Sequence, residues 1–264
     1  MSETQTRRDF LLRGGPGGAC AAMAAVAPTA ANAVLVREPK ELPPQAVGML
    51  IDATLCIGCQ ACVAACRRAN GVEVEDTPFA LAGWNAAHTW DTALDLDGRT
   101  LNVIKVWRHG TADAKDRSTD GFAFYKRHCL HCVDPSCVSV CPVSAMRKDP
   151  STGIVSYNPD ACIGCRYCSY GCPFGVPQFD LSEPLGQINK CEMCRHLQAQ
   201  GQIPACCDVC PTGASLFGPV EALQAEADRR LAATPGDIIA FPRGDITQDR
   251  PPHEGIVPLY QQHT

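Results

Sequence analysis

The sequence predicts an α+β fold made of two small cysteine-anchored modules, one nested inside the other, with a small β region inserted. Three observations carry this. Sixteen of the 18 cysteines fall into four clusters: Cys56, Cys59, Cys62 and Cys66; Cys129, Cys132, Cys137 and Cys141; Cys162, Cys165, Cys168 and Cys172; and Cys191, Cys194, Cys206 and Cys210. Between the second and third clusters, Met146 to Lys148 and Ile154 to Tyr157 flank a turn over Asp149 to Gly153 whose Asp-Pro and Thr-Gly pairs are turn formers, so a hairpin joins these two clusters. Cys66 and Cys191 stand 125 positions apart, which lets the second and third clusters form an inner module while the first and fourth close around it as an outer one.

Taken in chain order, residues 1–33 read as a leader to be excluded from fold reasoning. Thr6, Arg7, Arg8, Asp9, Phe10, Leu11 and Leu12 make a twin-arginine motif, and the Gly/Ala-rich stretch Gly14 to Ala33 ends in Ala31-Asn32-Ala33, an exit that fits cleavage after Ala33. Cys20 leaves with it. The outer module takes residues 34–66 and 189–236, with a strand from Val47 to Asp52 leading into Cys56 and another from Ala214 to Phe217 leading out of the fourth cluster. Residues 67–128 are the insertion: Leu101 to Arg108 and then Phe122, Phe124 and Lys126 read as a small sheet, and the polar loop around Trp84, His88 and Trp90 reads as a packed lid over a cluster, with a docking surface as the alternative. The inner module spans residues 129–188. Pro219 to Leu231 has an amphipathic period through Val220, Leu223, Ala227 and Leu231, with Pro219 in its first turn and Gly236 at its exit, so this helix is expected to pack on the sheet. Residues 237–264, with Pro242, Pro251, Pro252 and Pro258, read as an extended arm.

The cysteine spacing carries the chemistry. The third cluster, with Pro173 after it, is the bacterial C-x2-C-x2-C-x3-C-P run letter for letter. The first has the same spacing but Arg67 in place of proline; the second has four residues in its middle gap and ends in Pro142; the fourth is split by an 11-residue gap and ends in Pro211. A 4Fe-4S cube needs one thiolate per iron. Three cysteines at C-x2-C-x2-C wrap one cube, while the fourth, a helical turn further on, points elsewhere and ligates the partner cube of a two-cluster unit. Four runs read as two reciprocal pairs therefore hold four 4Fe-4S clusters. Zinc would suit the split fourth run taken alone, but it leaves the extra cysteines of three successive runs without a purpose. A disulfide scaffold fits short exported chains better than one of 264 residues. Of the adjacent pair Cys206 and Cys207, only Cys206 stands in register with Cys210, so Cys206 is assigned as ligand and Cys207 as a packed neighbour.

Composition excludes other classes. The chain is 45% hydrophobic and 19% charged with a net charge of −5 and no basic stripe with interleaved aromatics, which argues against a nucleic-acid surface. Beyond the leader no run of about 18 apolar residues occurs, so the mature chain is expected to have no transmembrane helix. Cubes are assembled in a reducing cytoplasm and the twin-arginine route exports folded proteins, so the expected location is periplasmic.

Four cubane runs in this order resemble the iron-sulfur beta subunits of the molybdopterin oxidoreductase superfamily, and more closely the four-cluster electron-transfer subunit encoded with hydrogenase-2 type NiFe hydrogenases. Gly48 to Cys66, Cys129 to Val155, Cys162 to Pro177 and Cys206 to Gly236 carry the resemblance. It implies four cross-ligated cubes: Cys56, Cys59, Cys62 and Cys210; Cys129, Cys132, Cys137 and Cys172; Cys162, Cys165, Cys168 and Cys141; and Cys191, Cys194, Cys206 and Cys66. It places the first, the fourth and the inner pair in one line. The implied function is to carry single electrons between a periplasmic catalytic subunit, a NiFe hydrogenase ahead of a molybdenum enzyme acting on formate, thiosulfate or a related oxyanion, and a membrane-integral quinone-reactive subunit. Attachment to the inner membrane would then be peripheral, through that partner. A zinc-stabilised interaction protein without redox function is the alternative of another class.

No nucleophile-base pair, phosphate loop or dinucleotide fingerprint is present, so no catalytic residue is assigned and the chain reads as a non-catalytic subunit. His128 and His131 flank Cys129 but replace no missing thiolate. Arg166, Lys190, Arg195 and Arg67 adjoin ligands, where positive charge favours the reduced cube; Arg166, between two ligands of one run, is the foremost candidate.

Overall fold

A computed structural model describes residues 40–72, 95–108, 122–180 and 187–257. The leader, with its twin-arginine motif and exit, and the loop around Trp84, His88 and Trp90 lie outside the described residues. The organising feature is a three-stranded sheet in which β1 (Val47–Ile51) pairs antiparallel with β8 (Ser215–Pro219), from Val47 opposite Pro219 to Ile51 opposite Ser215. Positions nearly 170 residues apart in the chain are thereby adjacent, and the loop leaving β1 towards Cys56 meets the loop that brings Cys210 into β8. The amide of Asp52 donates to the carbonyl of Ala214 at 2.8 Å and extends this junction beyond the sheet.

Helix α1 (Ala61–Ala69) follows the first two cysteines and carries the next two. The β2 (Val103–Arg108) and β3 (Phe122–Arg127) strands form the antiparallel ribbon expected in the insertion. Next come α2 (Ser136–Ser139), the hairpin of β4 (Met146–Lys148) and β5 (Val155–Tyr157), and α3 (Tyr167–Gly171). Within the hairpin turn, the Asp149 carboxylate accepts from the amides of Ser151 and Thr152, each at 2.8 Å. Thr152 in turn accepts from the Val47 amide at 3.1 Å, tying the hairpin to the edge of the main sheet. A short pair, β6 (Gln178–Phe179) with β7 (Ile188–Asn189), leads to α4 (Arg195–Gln198) and α5 (Ala205–Asp208).

Helix α6 (Val220–Ala232) packs on the sheet, and so closely that a Cβ on Gly48 would stand 3.2 Å from Val220. Its buried stripe differs from the expected apolar one. Leu231 is 72% exposed, whereas Leu223, Glu226 and Arg230 are buried. The spacing i, i+3, i+7 is that of one helix face, and the two charges are tolerated there because each finds a partner: Arg230 bonds Glu226 at 2.7 Å and Asp52 at 2.9 Å.

The C-terminal stretch is not the extended arm its prolines suggest. Within it β9 (Ile238–Phe241) and β11 (His253–Ile256) pair antiparallel, and β10 (Gly244–Asp245) adds in parallel to β8. Pro242, Pro251 and Pro252 fall between these strands, where a missing N–H breaks no ladder, while buried Phe241 and Val257 fasten the segment to the core. Among the described residues no helix is long and apolar enough to cross a membrane.

Candidate metal centres

The loops between ligands are shaped by left-handed residues. In each of the four runs, the residue before the second cysteine has positive φ: Gly58 (70°), His131 (48°), Gly164 (70°) and Met193 (51°). A left-handed residue reverses the chain within one C-x2-C step and turns successive amides towards a common concavity, the arrangement that binds anions. In two of the runs such an amide reaches sulfur: Gly164 donates to Cys162 Sγ and Met193 to Cys191 Sγ, both at 3.4 Å. Glycine is required at position 58 for a second reason, since a Cβ there would stand 2.6 Å from the Phe124 ring.

The third and fourth cysteines of the first run share α1. Four residues of helix separate Cys62 from Cys66 by about 6 Å along the axis, and the two open onto different cavities. One is lined by Cys56, Cys59, Cys62 and Cys210, closed by Ile51, Ile104 and Pro211. The other is lined by Cys66, Cys191, Cys194 and Cys206, with Met49, Asn102 and Met193 around them. Each cavity therefore draws three cysteines from one run and one from the other. In the inner region Cys129, Cys132, Cys137 and Cys172 lie within electrostatic range of one another, as do Cys162, Cys168 and Cys141. Cys165 is the exposed member of its run.

The thiols ring cavities instead of meeting at a point: among the described residues no three Cys, His, Asp or Glu side chains converge as a single ion requires, whereas tetrahedral zinc needs its sulfurs at about 2.3 Å. Four thiols around one shared cavity are the donor set of a cubane, which carries its own inorganic sulfide. Residues 121–220 match the 4Fe-4S dicluster domain family. This is a 4Fe-4S iron–sulfur protein. It is similar to the Escherichia coli O157:H7 protein called hydrogenase-2 operon protein HybA, with 44% identity over 224 residues, 83% of this chain and 66% of that one. It is also similar to the formate dehydrogenase-O iron-sulfur subunit of Escherichia coli K12, 35% identical over 186 residues that make up 70% of this chain and 57% of the relative. The formate dehydrogenase iron-sulfur subunit of Haemophilus influenzae is 34% identical, with 70% and 55% covered. The chain thus spans a little over half to about two thirds of the length of these relatives.

Around the cavities, burial pushes the Cys62 and Cys191 thiols up to about 12 and those of Cys137 and Cys168 up to about 11. Without metal these groups stay protonated near neutrality, so building the iron–sulfur centres displaces protons. Cys206 departs from the pattern. The Cys207 thiol donates to it, and although burial opposes, Lys126 adds its charge, so Cys206 is held low while Cys207 is pushed well up. Cys207 is fully buried beside Ile154, Met193, Ile203 and Phe217 and lines neither cavity.

His128 and His131 are buried, and both stay neutral. Burial, then the charge of Lys126, pushes His128 down to about 3; burial and Lys190 push His131 well below the usual imidazole range. His128 Nδ1 bonds the Cys129 carbonyl at 2.7 Å. His131 Nδ1 accepts from the Val155 amide at 3.0 Å, so its proton sits on Nε2, a buried atom with no acceptor among the described residues. A sulfide or thiolate of a bound cube would satisfy it.

The cations sort differently from their sequence ranking. Arg166 is exposed, its guanidinium 5.1 Å from the Phe179 ring centre. Arg195 is exposed and paired with Glu192. Arg67 bonds Thr100 at 3.1 Å. Lys190 is 4% exposed and donates to the carbonyls of Val155 and Cys191. Lys126, read in the sequence only as a strand residue, is the cation that lines both cavities. The signal was its period: it sits two residues beyond Phe124, whose ring is buried, and so on the inward face of β3. Asn102 was also missed; its amide donates to the Cys62 carbonyl at 3.1 Å.

Proposed function

We propose that the protein is an electron-transfer subunit with four 4Fe-4S cubes, held by Cys56, Cys59, Cys62 and Cys210; by Cys66, Cys191, Cys194 and Cys206; by Cys129, Cys132, Cys137 and Cys172; and by Cys162, Cys165, Cys168 and Cys141. The observation that carries this is the pair of cavities that each combine three cysteines of one run with one of the other. It supports two nested ferredoxin-like modules, the outer closed by the β1–β8 pairing and the inner built on the β4–β5 hairpin. Electrostatic influence between groups, of Cys206 on Cys62 and of Cys129 on Cys191, supports a row in the order first, fourth, second and third run. Bound cubes supply one-electron chemistry; the chain's own residues position them, keep water away and set their surroundings. Exposed Ile163, Tyr167, Tyr170 and Phe174 around the third run support a partner surface at that end.

The catalytic partner is a hydrogenase in this reading, because the relative at 44% identity is named for a hydrogenase operon; formate dehydrogenase subunits at 35% make a molybdenum enzyme the second reading. A membrane quinone-reactive subunit takes the other end. Purifying the complex anaerobically from its native host through a tag on this chain tests both levels. The expected result is about 16 iron and about 16 acid-labile sulfides per chain, with nickel and without molybdenum. About eight iron would mean that one module is not built. Molybdenum without nickel would replace the partner and keep the electron carrier.

Export in the folded state follows from Arg7 and Arg8 ahead of the Ala31-Asn32-Ala33 exit. The double variant Arg7→Lys, Arg8→Lys is expected to leave precursor in the cytoplasm with its iron retained, scored by fractionation. Normal export of that variant would end the proposal.

A further inference from the structure

We infer that Lys126 and Lys190 are fixed cations at two successive junctions of the cluster row, each raising the reduction potentials of the two cubes it separates. The inference rests on the four-cube reading above. Lys126 lines the cavity of the first run and that of the fourth, and its ammonium donates to Ser215 Oγ at 3.0 Å, which pins it to the start of β8. Lys190 bears on Cys137 of one proposed cube and on Cys191 of the next. Two backbone carbonyls, those of Val155 and Cys191, hold its head in place. Among the described residues neither lysine is ion-paired with a carboxylate.

A cube bound by four thiolates is anionic in both redox states, so reducing one makes its neighbour harder to reduce. A buried cation between two such cubes offsets that repulsion for both, and does so strongly because the interior screens charge poorly. The same charge on the surface would act weakly, which is why exposed Arg166 and Arg195 are not placed in this role. The geometry therefore sets a pattern across the row. The cube of Cys66, Cys191, Cys194 and Cys206 has Lys126 in its cavity wall and Lys190 on the carbonyl of its ligand Cys191. Of these two lysines the first-run cube has Lys126 alone and the Cys129 cube Lys190 alone, the latter with half-buried Lys148 on the Cys132 carbonyl as a further cation that neither variant removes. The cube of Cys162, Cys165, Cys168 and Cys141 has neither.

The test is a redox titration followed by electron paramagnetic resonance on the anaerobically purified protein and on Lys126→Gln and Lys190→Gln, with iron counted in each. Glutamine keeps an N–H donor and removes the charge. Each variant is expected to lower two of the four midpoints, by about tenfold in the reduction equilibrium or about 59 mV for one electron, with one affected cube common to both variants and one cube unmoved in either. Unchanged midpoints at full iron content, or all four shifted alike, overturn the inference. Should a glutamine variant lose iron, arginine at the same position decides: recovery of the wild-type midpoints upholds the charge role, and midpoints still lowered with iron restored overturn it. Failure of the four-cube reading looks different, because the unmodified protein would then hold about eight iron and show two midpoints.

Discussion

Arg230→Ala is expected to destabilise the protein by about 3–5 kcal/mol, the usual effect of removing one partner from a buried ion pair, and to release iron from the Cys56, Cys59, Cys62 and Cys210 cavity first. Arg230 is 3% exposed and bridges three segments of the chain. Its guanidinium reaches Glu226 one helical turn back, Asp52 in the loop after β1 at 2.9 Å, and the Gly213 carbonyl at 3.3 Å, while its flat face lies over the Phe241 ring. Asp52 in turn shapes the approach to the first ligand: its carboxylate accepts from the amides of Thr54 and Leu55, and its carbonyl from the amide of Cys56 at 3.1 Å. Without Arg230 the Asp52 charge is buried without its strongest partner, and the loop that delivers Cys56 and Cys59 loses its anchor. Glu226 keeps Arg229 and is the less affected of the two. Arg230→Lys should recover only part of the loss, because an ammonium cannot replicate the planar fork. Anaerobic chemical denaturation together with the rate of iron release to a chelator measures both effects; stability within about 0.5 kcal/mol of the parent, the range of an ordinary surface substitution, would show that the bridge is incidental.

The same bridge has a pH signature. Burial disfavours the Glu226 carboxylate, but the hydrogen bonds and charges of Arg229 and Arg230 prevail and hold it below the usual glutamate range. A native value below the unfolded one means that its contribution is complete above the unfolded value and is lost as the pH falls through the lowered native one. Acid should therefore narrow the stability gap between parent and Arg230→Ala.

Cys206→Ser is expected to lose about four iron, or about one with appearance of a three-iron signal, whereas Cys207→Ser keeps the full iron count. The two side chains are neighbours in sequence and α5 turns them apart. Cys206 faces the cavity with Cys66, Cys191 and Cys194; Cys207 is 0% exposed within an apolar cluster and touches neither cavity. Serine at position 207 preserves size and a donor towards Cys206, so the change reaches the cube only through that hydrogen bond. Iron and sulfide assays on the two variants decide the assignment, and a loss confined to Cys207→Ser would reverse it.

Much of this protein is legible in its cysteines because ligand spacing is local chemistry. C-x2-C brings two thiols together across a left-handed residue, and the third cysteine of each run falls on the helix that follows or, in the fourth run, on a later one, with the fourth cysteine about a turn further on. The hairpin from Met146 to Tyr157 and the β2–β3 ribbon were legible for a like reason, since turn formers and alternation act between near neighbours. The C-terminal strands were not, because Pro242, Pro251 and Pro252 dominate any local count while the pairing partners of β9 and β10 are set by the sheet. Nor was the buried face of α6. Apolar spacing favours Leu231, but the tertiary fold brings Asp52 to the opposite stripe, and an available counter-charge makes burying Arg230 and Glu226 less costly than local sequence implies. Lys126 makes the same point at the metal centres. A lysine in sequence is a surface residue by default, and only packing that surrounds it with thiolates and carbonyls in place of water decides that its charge acts inside. The sequence alone determines which cysteines are candidate ligands, how they group along the chain and which runs are expected to pair; that the first and fourth runs do share two cavities, and which charges stand between them, depends on long-range pairing, above all β1 with β8, and so is decided only in the folded structure.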